Sequence, residues 1–177
     1  MTDESLRYPI GRFSPPTEVT PAGREKYLTE IEQLPSEMRN TVTGLSDEQL
    51  DIPYREGGWT IRQVVHHVPD SHVNSYIRYR WTLTENQPTI KAYYEDRWGE
   101  LPDAASAPVE PSLQLLEALH QRWLLLLRAM SDEDYARSFV HPETNKTIRL
   151  DTMLALYAWH GKHHVAHIQN LKTRMSW

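Results

Sequence analysis

Leu150-Asp151-Thr152-Met153-Leu154-Ala155-Leu156-Tyr157-Ala158-Trp159-His160-Gly161-Lys162-His163-His164-Val165-Ala166-His167-Ile168-Gln169-Asn170-Leu171 is the stretch that decides how this chain folds. Leu150, Met153, Leu154, Tyr157, Ile168 and Leu171 recur at the i, i+3, i+4, i+7 spacing of a helix with one core-facing stripe. His160 and His164 fall within that stripe, and His163 lies on its flank beside Leu156 and Trp159. Residues four apart on a helix sit one above the other, about 6 Å along the axis, so two imidazoles at that spacing can reach one ion. A lone pair of this kind also serves helix ends, where it meets the last carbonyls. Two histidines buried without a partner are costly, however, and an ion shared between them removes that cost.

Composition narrows the chemistry of such an ion. The chain has 177 residues, nine histidines and no cysteine, so a metal must be held by His, Asp or Glu, which suits zinc, nickel or a similar N/O site. Its length predicts one domain spanning 1–177 with a sizeable core. The formal net charge of −5 and the scatter of the basic residues speak against a nucleic-acid partner. Six tryptophans and nine tyrosines then read as core and interface aromatics rather than base-stacking platforms. A signal-peptide pattern and a membrane-length apolar run are both missing from the sequence, so a cytoplasmic location is expected and no membrane partner.

Three more helices precede the histidine-rich one. Residues 1–19 carry three prolines without a period and read as an extended arm, with Leu6, Tyr8, Ile10 and Phe13 able to dock it. Thr20-Pro21 opens a first helix that runs to about Val42 before Gly44, and Ser46-Asp47-Glu48-Gln49 caps a short turn. Thr60 with Gln63 forms a capping box, and Trp59 with Val64 a hydrophobic staple, for a second helix reaching about Glu85. Pro69 within it removes one backbone bond and is expected to kink or split it. The long connection 86–110 lacks a period. Its stretch from Gln87 to Pro108, with Tyr93, Tyr94, Asp96 and Trp98, is too aromatic for a solvated linker, so it is expected to pack over the bundle or against a second subunit. Pro111 starts a third helix with a face of Leu113, Leu116, Leu119, Trp123, Leu127 and Met130. Residues 138–150 fit a small hairpin or an irregular loop. Four helices with one apolar face each predict an all-α four-helix bundle, a fold in which metal ligands converge from facing helices.

A catalytic metal site usually has three protein ligands plus water. The second helix offers His66, His67, His72 and Asp70. Its stripe of Ile61, Val65, Val68, Tyr76 and Tyr79 places His72 near the middle and His67 at the margin, so periodicity leaves the two level. Trp59-Thr60-Ile61-Arg62-Gln63-Val64-Val65-His66-His67 resembles the Trp-Ser/Thr-x-Arg-x-(apolar)-x-x-His opening of the second helix in the DinB-like superfamily. His160-Gly161-Lys162-His163-His164 resembles its His-x-x-x-His on the fourth. With the arm Leu6-Arg7-Tyr8-Pro9-Ile10-Gly11-Arg12-Phe13, the resemblance extends across the chain and points to the YfiT branch.

That resemblance implies a dimeric four-helix bundle with an extended N-terminal arm, and nickel or zinc on His67, His160 and His164. It also implies a metal-dependent hydrolase acting through metal-bound water on an unidentified small molecule. The superfamily's thiol S-transferases, which act with bacillithiol or mycothiol, make transfer to a low-molecular-weight thiol the alternative, and a non-catalytic metal-binding protein the second. His72 as a fourth ligand would favour the last of these. Superfamily members often carry an acidic residue or glutamine near the fourth-helix pair, where this chain has Val165, Ala166 and His167. The general base is therefore unassigned, and Asp70, one turn after His67, is a candidate to orient an imidazole or act on bound water.

Overall fold

The computed structural model describes residues 3–177. Four long helices make the bundle: α2 (Pro21–Val42), α4 (Ile61–Thr84), α7 (Glu110–Ala129) and α9 (Leu150–Met175). Short helices α1 (Asp3–Arg7), α3 (Asp47–Leu50), α5 (Glu95–Gly99), α6 (Pro102–Ala105) and α8 (Asp132–Ala136) lie along the connections. Strands β1 (Ser138–His141) and β2 (Lys146–Arg149) form an antiparallel hairpin in which Ser138 faces Arg149. Of the two expectations for this segment, the hairpin is the one seen.

The helix starts follow from side chains that satisfy orphan amides. Thr20 accepts from the Gly23 amide, with Pro21 in the first turn of α2. Ser46, Thr60 and Ser131 each form a reciprocal capping box, with Gln49, Gln63 and Asp134 respectively, every one contributing about 1 kcal/mol. Pro69 does not split the second long helix. Buried against its neighbours, α4 stays helical from Ile61 to Thr84 despite the missing bond.

The helices are not arranged in a simple up-and-down ring. α2 packs on α9 and α7, and α4 packs on α7 and α9, so α2 lies diagonally opposite α4 and α7 opposite α9. The two diagonal steps use the connections at 43–60 and 130–149. The 85–109 segment, which joins neighbours, folds over α4 as α5 and α6. Gln63 donates to the Gly99 carbonyl at 2.8 Å, and Tyr93 packs on Trp98 at 4.9 Å. The aromatic segment thus packs over its own bundle, while Tyr94 and Leu101 stay exposed.

The arm differs from expectation at its start, where α1 forms a helical turn. The rest is irregular and docks along α9: the Trp159 indole donates to the Gly11 carbonyl at 3.2 Å and Phe13 packs on its ring. Residues 1 and 2 of the arm lie outside the described residues. Among the described residues, no helix is long and apolar enough to cross a membrane.

Two apolar clusters fill the interior. One gathers Ile31, Tyr79, Trp123, Phe139, Met153, Tyr157 and Ala158. The other gathers Leu34, Met38, Val65, Val68, Leu116, Val165 and Ile168. Along three of the helices a histidine separates members of the two: His72 lies between Val68 and Tyr79, His120 between Leu116 and Trp123, and His160 between Ala158 and Val165. A polar layer therefore crosses the middle of the bundle.

Candidate metal centre

His67 reaches this layer from α4 because the start of that helix is pinned from several sides. The buried Arg62 guanidinium donates to Asp51 at 2.7 Å, to Asp47 at 2.9 Å and to the Ala107 carbonyl at 3.0 Å, tying α3 and the 85–109 connection to α4. Trp59, just before the Thr60 cap, lays its ring against His67 with centroids 4.4 Å apart. Across from it, α9 brings in His160 and His164. Gly161 lets α9 approach α2 closely, because a Cβ there would sit 2.3 Å from Leu34 Cδ2.

His67, His160 and His164 each offer one ring nitrogen to a group of atoms lying within 4.8 Å of one another. The Nε2 atoms of His67 and His160 are 3.3 Å apart, against about 3.4 Å for two nitrogens on one tetrahedral zinc with bonds of about 2.0–2.1 Å. Burial holds the imidazoles in the neutral form that ligates metal. His67 is pushed down to about 4, and burial together with nearby imidazoles takes His160 and His164 well below the usual histidine range. Buried Nδ1 atoms of His163 and His164 have no hydrogen-bond partner among the described residues. An all-nitrogen donor set with unspent capacity fits a divalent ion such as zinc or nickel.

The cluster opens into a cavity of about 400 Å³. Tyr54, Arg55, Trp59, Ser71, Tyr93, Glu95 and Asp96 line it together with the three imidazoles and with His163 and His167. The last two face each other at 2.9 Å through Nε2 atoms, packed on by Trp159 and Tyr54 respectively. Burial lowers His163 to about 4 and His167 to about 3.

His72 is not in the converging group. It is fully buried behind His160, its Nε2 3.2 Å from His160 Nδ1, edge-on to Tyr157 and Trp123. Helical periodicity places both candidates correctly, His72 in mid-stripe and His67 at the margin. The margin is where a side chain meets both the interior and an open cavity. Asp70 also departs from expectation: among the described residues no hydrogen bond joins its carboxyl to an imidazole, and it does not line the cavity. Burial, reinforced by Asp103, pushes its pKa up to about 6. His120 was not foreseen from the sequence. Its signal was its place in the third helix's stripe, between Leu116 and Trp123.

The fold and site together define a helical bundle with a three-imidazole cluster at the floor of an open cavity. The DinB superfamily model matches residues 30–168, and the chain belongs to that superfamily. It is 46% identical over 177 residues to YfiT of Bacillus subtilis, covering 100% of this chain and 99% of that protein. A Bacillus cereus relative is 52% identical over 172 residues, covering 97% and 98%. Both carry the provisional name of metal-dependent hydrolase. The solved structure of YfiT, described as a four-helix bundle of unusual topology, superposes with a TM-score of 0.96 at 46% identity, over 98% of this chain and 99% of that one. The mycothiol-dependent maleylpyruvate isomerase shares the fold at 18% identity and a TM-score of 0.60, over 79% of this chain and 60% of its own.

Proposed function

We propose that the protein is a metal-dependent hydrolase of a small molecule, holding one divalent ion per chain, zinc or nickel, on His67, His160 and His164. The observation that carries this reading is the convergence of three neutral ring nitrogens within 4.8 Å on an accessible cavity. A divalent ion held by these three residues would supply Lewis acidity and would acidify water toward neutral pH, as hydrolysis at neutral pH requires. The chain's own residues then bind and orient. Trp59 restricts the His67 ring, Arg55 presents a cation at the cavity wall, and Tyr93, whose pKa burial raises, keeps its proton as a donor toward a substrate oxygen. As one domain in the cytoplasm, the chain also has the means to form a homodimer, since Tyr94, Trp98 and Leu101 leave an apolar face on the 86–110 connection. Sedimentation at micromolar concentration is expected to give the mass of a dimer.

The test begins with metal content by mass spectrometry, expected near one per chain and below a tenth of that in His160→Ala. Unchanged content in the variant overturns the ligand assignment. The metal-loaded protein is then screened against esters, amides and thiol conjugates. Hydrolysis is expected to rise through a pKa near 7 and to ignore added bacillithiol, whereas activity that appears only with the thiol and saturates in it identifies a thiol transferase. A retained ion with no turnover across the screen leaves the non-catalytic reading.

A further inference from the structure

Behind the cluster runs a line of buried imidazoles. His160 Nδ1 meets His72 Nε2 at 3.2 Å, His72 Nδ1 meets His120 Nε2 at 2.9 Å, and His120 Nδ1 meets the main-chain carbonyl of Ile31 at 2.7 Å. We propose that His120 and His72, anchored on the Ile31 carbonyl, are positioning residues that hold His160 in one tautomer and one ring orientation, with its bare Nε2 turned to the cluster.

The order follows from the far end. A carbonyl oxygen only accepts, so the hydrogen in that contact belongs to His120 Nδ1. A neutral imidazole has one N–H, which leaves His120 Nε2 as acceptor and assigns the next hydrogen to His72 Nδ1. The same step leaves His72 Nε2 as acceptor and puts a hydrogen on His160 Nδ1. His160 Nε2, 3.3 Å from His67 Nε2, then carries a lone pair. The reverse order would require the carbonyl to donate. All three rings are neutral at working pH because burial disfavours the imidazolium, holding His120 down to about 4 and taking His72 and His160 well below the usual histidine range.

The sequence supplies the anchor. In a helix the Ile31 carbonyl would accept from the amide four residues on, and that residue is Pro35, which has no amide hydrogen. The proline thereby frees a buried acceptor pointing at α7, and His120 fills it. A ligand imidazole whose second nitrogen donates to a fixed acceptor is oriented and made more basic. Here a second imidazole takes the place usually held by a carboxylate, and a third fixes the second.

The inference rests on the reading of His160 as a metal ligand, and the first measurement separates the two. In chelator-treated protein, long-range proton–nitrogen NMR of the histidine rings is expected to show His160, His72 and His120 as Nδ1–H tautomers. An Nε2–H tautomer at His160 or His120 overturns the relay, whatever the metal does. An Nδ1–H His160 in a protein whose metal content is untouched by His160→Ala keeps the relay and overturns the metal reading alone. The second measurement is zinc affinity by chelator competition in two variants. His120→Phe removes both polar contacts and is expected to weaken binding by about ten- to a hundredfold, with His160 appearing as mixed tautomers. His120→Gln keeps an N–H for Ile31 and an oxygen for His72, and is expected to recover affinity to within about threefold of the parent. Equal affinity in the two variants, or an unmixed Nδ1–H His160 in His120→Phe, overturns the proposal. If the phenylalanine variant does not fold, the parent spectrum and the glutamine variant decide it.

Discussion

The two sides of His160 are built from the same residue type and handle their hydrogen bonds in opposite ways. On the inner side, His72 and His120 are sealed among Trp123, Tyr157 and Ile31, and each ring nitrogen has a partner. On the outer side, His163 and His164 line the cavity, each with a buried Nδ1 lacking one among the described residues. A satisfied buried network fixes one geometry, whereas a buried ring nitrogen without a partner leaves the tautomer of its ring unassigned. Histidine content alone therefore says little about a site. What distinguishes scaffold from chemistry is where each ring's second nitrogen goes.

Acid is the strongest way to break the inner side. His120 titrates in the fold at about 4 against about 6.5 in the unfolded chain. Between those values the unfolded chain binds a proton that the folded chain refuses, so stability present at neutral pH is lost as pH falls from about 6.5 through 4. For His120 alone the loss approaches about 3 kcal/mol, and His67, His163 and His167 push in the same direction. Thermal melts from pH 7.5 to 4.5 are expected to show a steep fall in Tm, shallower in His120→Gln. A Tm flat across that range would show that the buried rings take up protons in the fold as readily as in the unfolded chain.

The packing that presses α9 onto α2 gives the next effect. Gly161→Ala drives a methyl into Cδ1, Cδ2 and Cγ of the buried Leu34, so no single rotation of that side chain relieves it. A loss of about 1–3 kcal/mol is expected by denaturant titration, with weaker zinc binding because both His160 and the Ile31 carbonyl lie beside the displaced contact. An unaltered midpoint would mean that the helices separate at little cost.

The smallest effect is expected at Asp70, which lies on neither side. Asp70→Asn is expected to change zinc affinity by less than about twofold, below the range typical of groups that orient ligands. Because the carboxyl's pKa is raised to about 6 in the fold, the folded form binds the extra proton, and that contribution fades as pH rises through 6. The asparagine variant is thus expected to melt no lower than the parent at pH 8. A tenfold loss of affinity would bring Asp70 into the site after all.

Much of the fold was legible where local chemistry is decisive. The Thr20-Pro21 and Thr60–Gln63 caps and the stripe from Leu150 to Leu171 place helix starts and faces within a residue or two. The diagonal helix order was not legible, because each apolar face reports that it is buried and not by which partner. For the site, the His160/His164 spacing was visible, and the tie between His67 and His72 was a real feature of the wheel rather than an error. Depth separates them, and depth depends on where the 43–60 connection and Trp59 come to rest. His120 was hidden because a single histidine in a leucine-rich stripe has no motif around it.

Pro35 shows how a defect in one element becomes information in another. A proline inside a helix is ordinarily counted as one backbone bond lost. Here the missing hydrogen fixes the direction of a row of donors and acceptors, and the choice made at the main chain of α2 is read out at α9, three rings away, without any atom having to move. Such a message is carried by valence rather than by motion, and a temperature or viscosity that quiets the protein's dynamics would leave it intact.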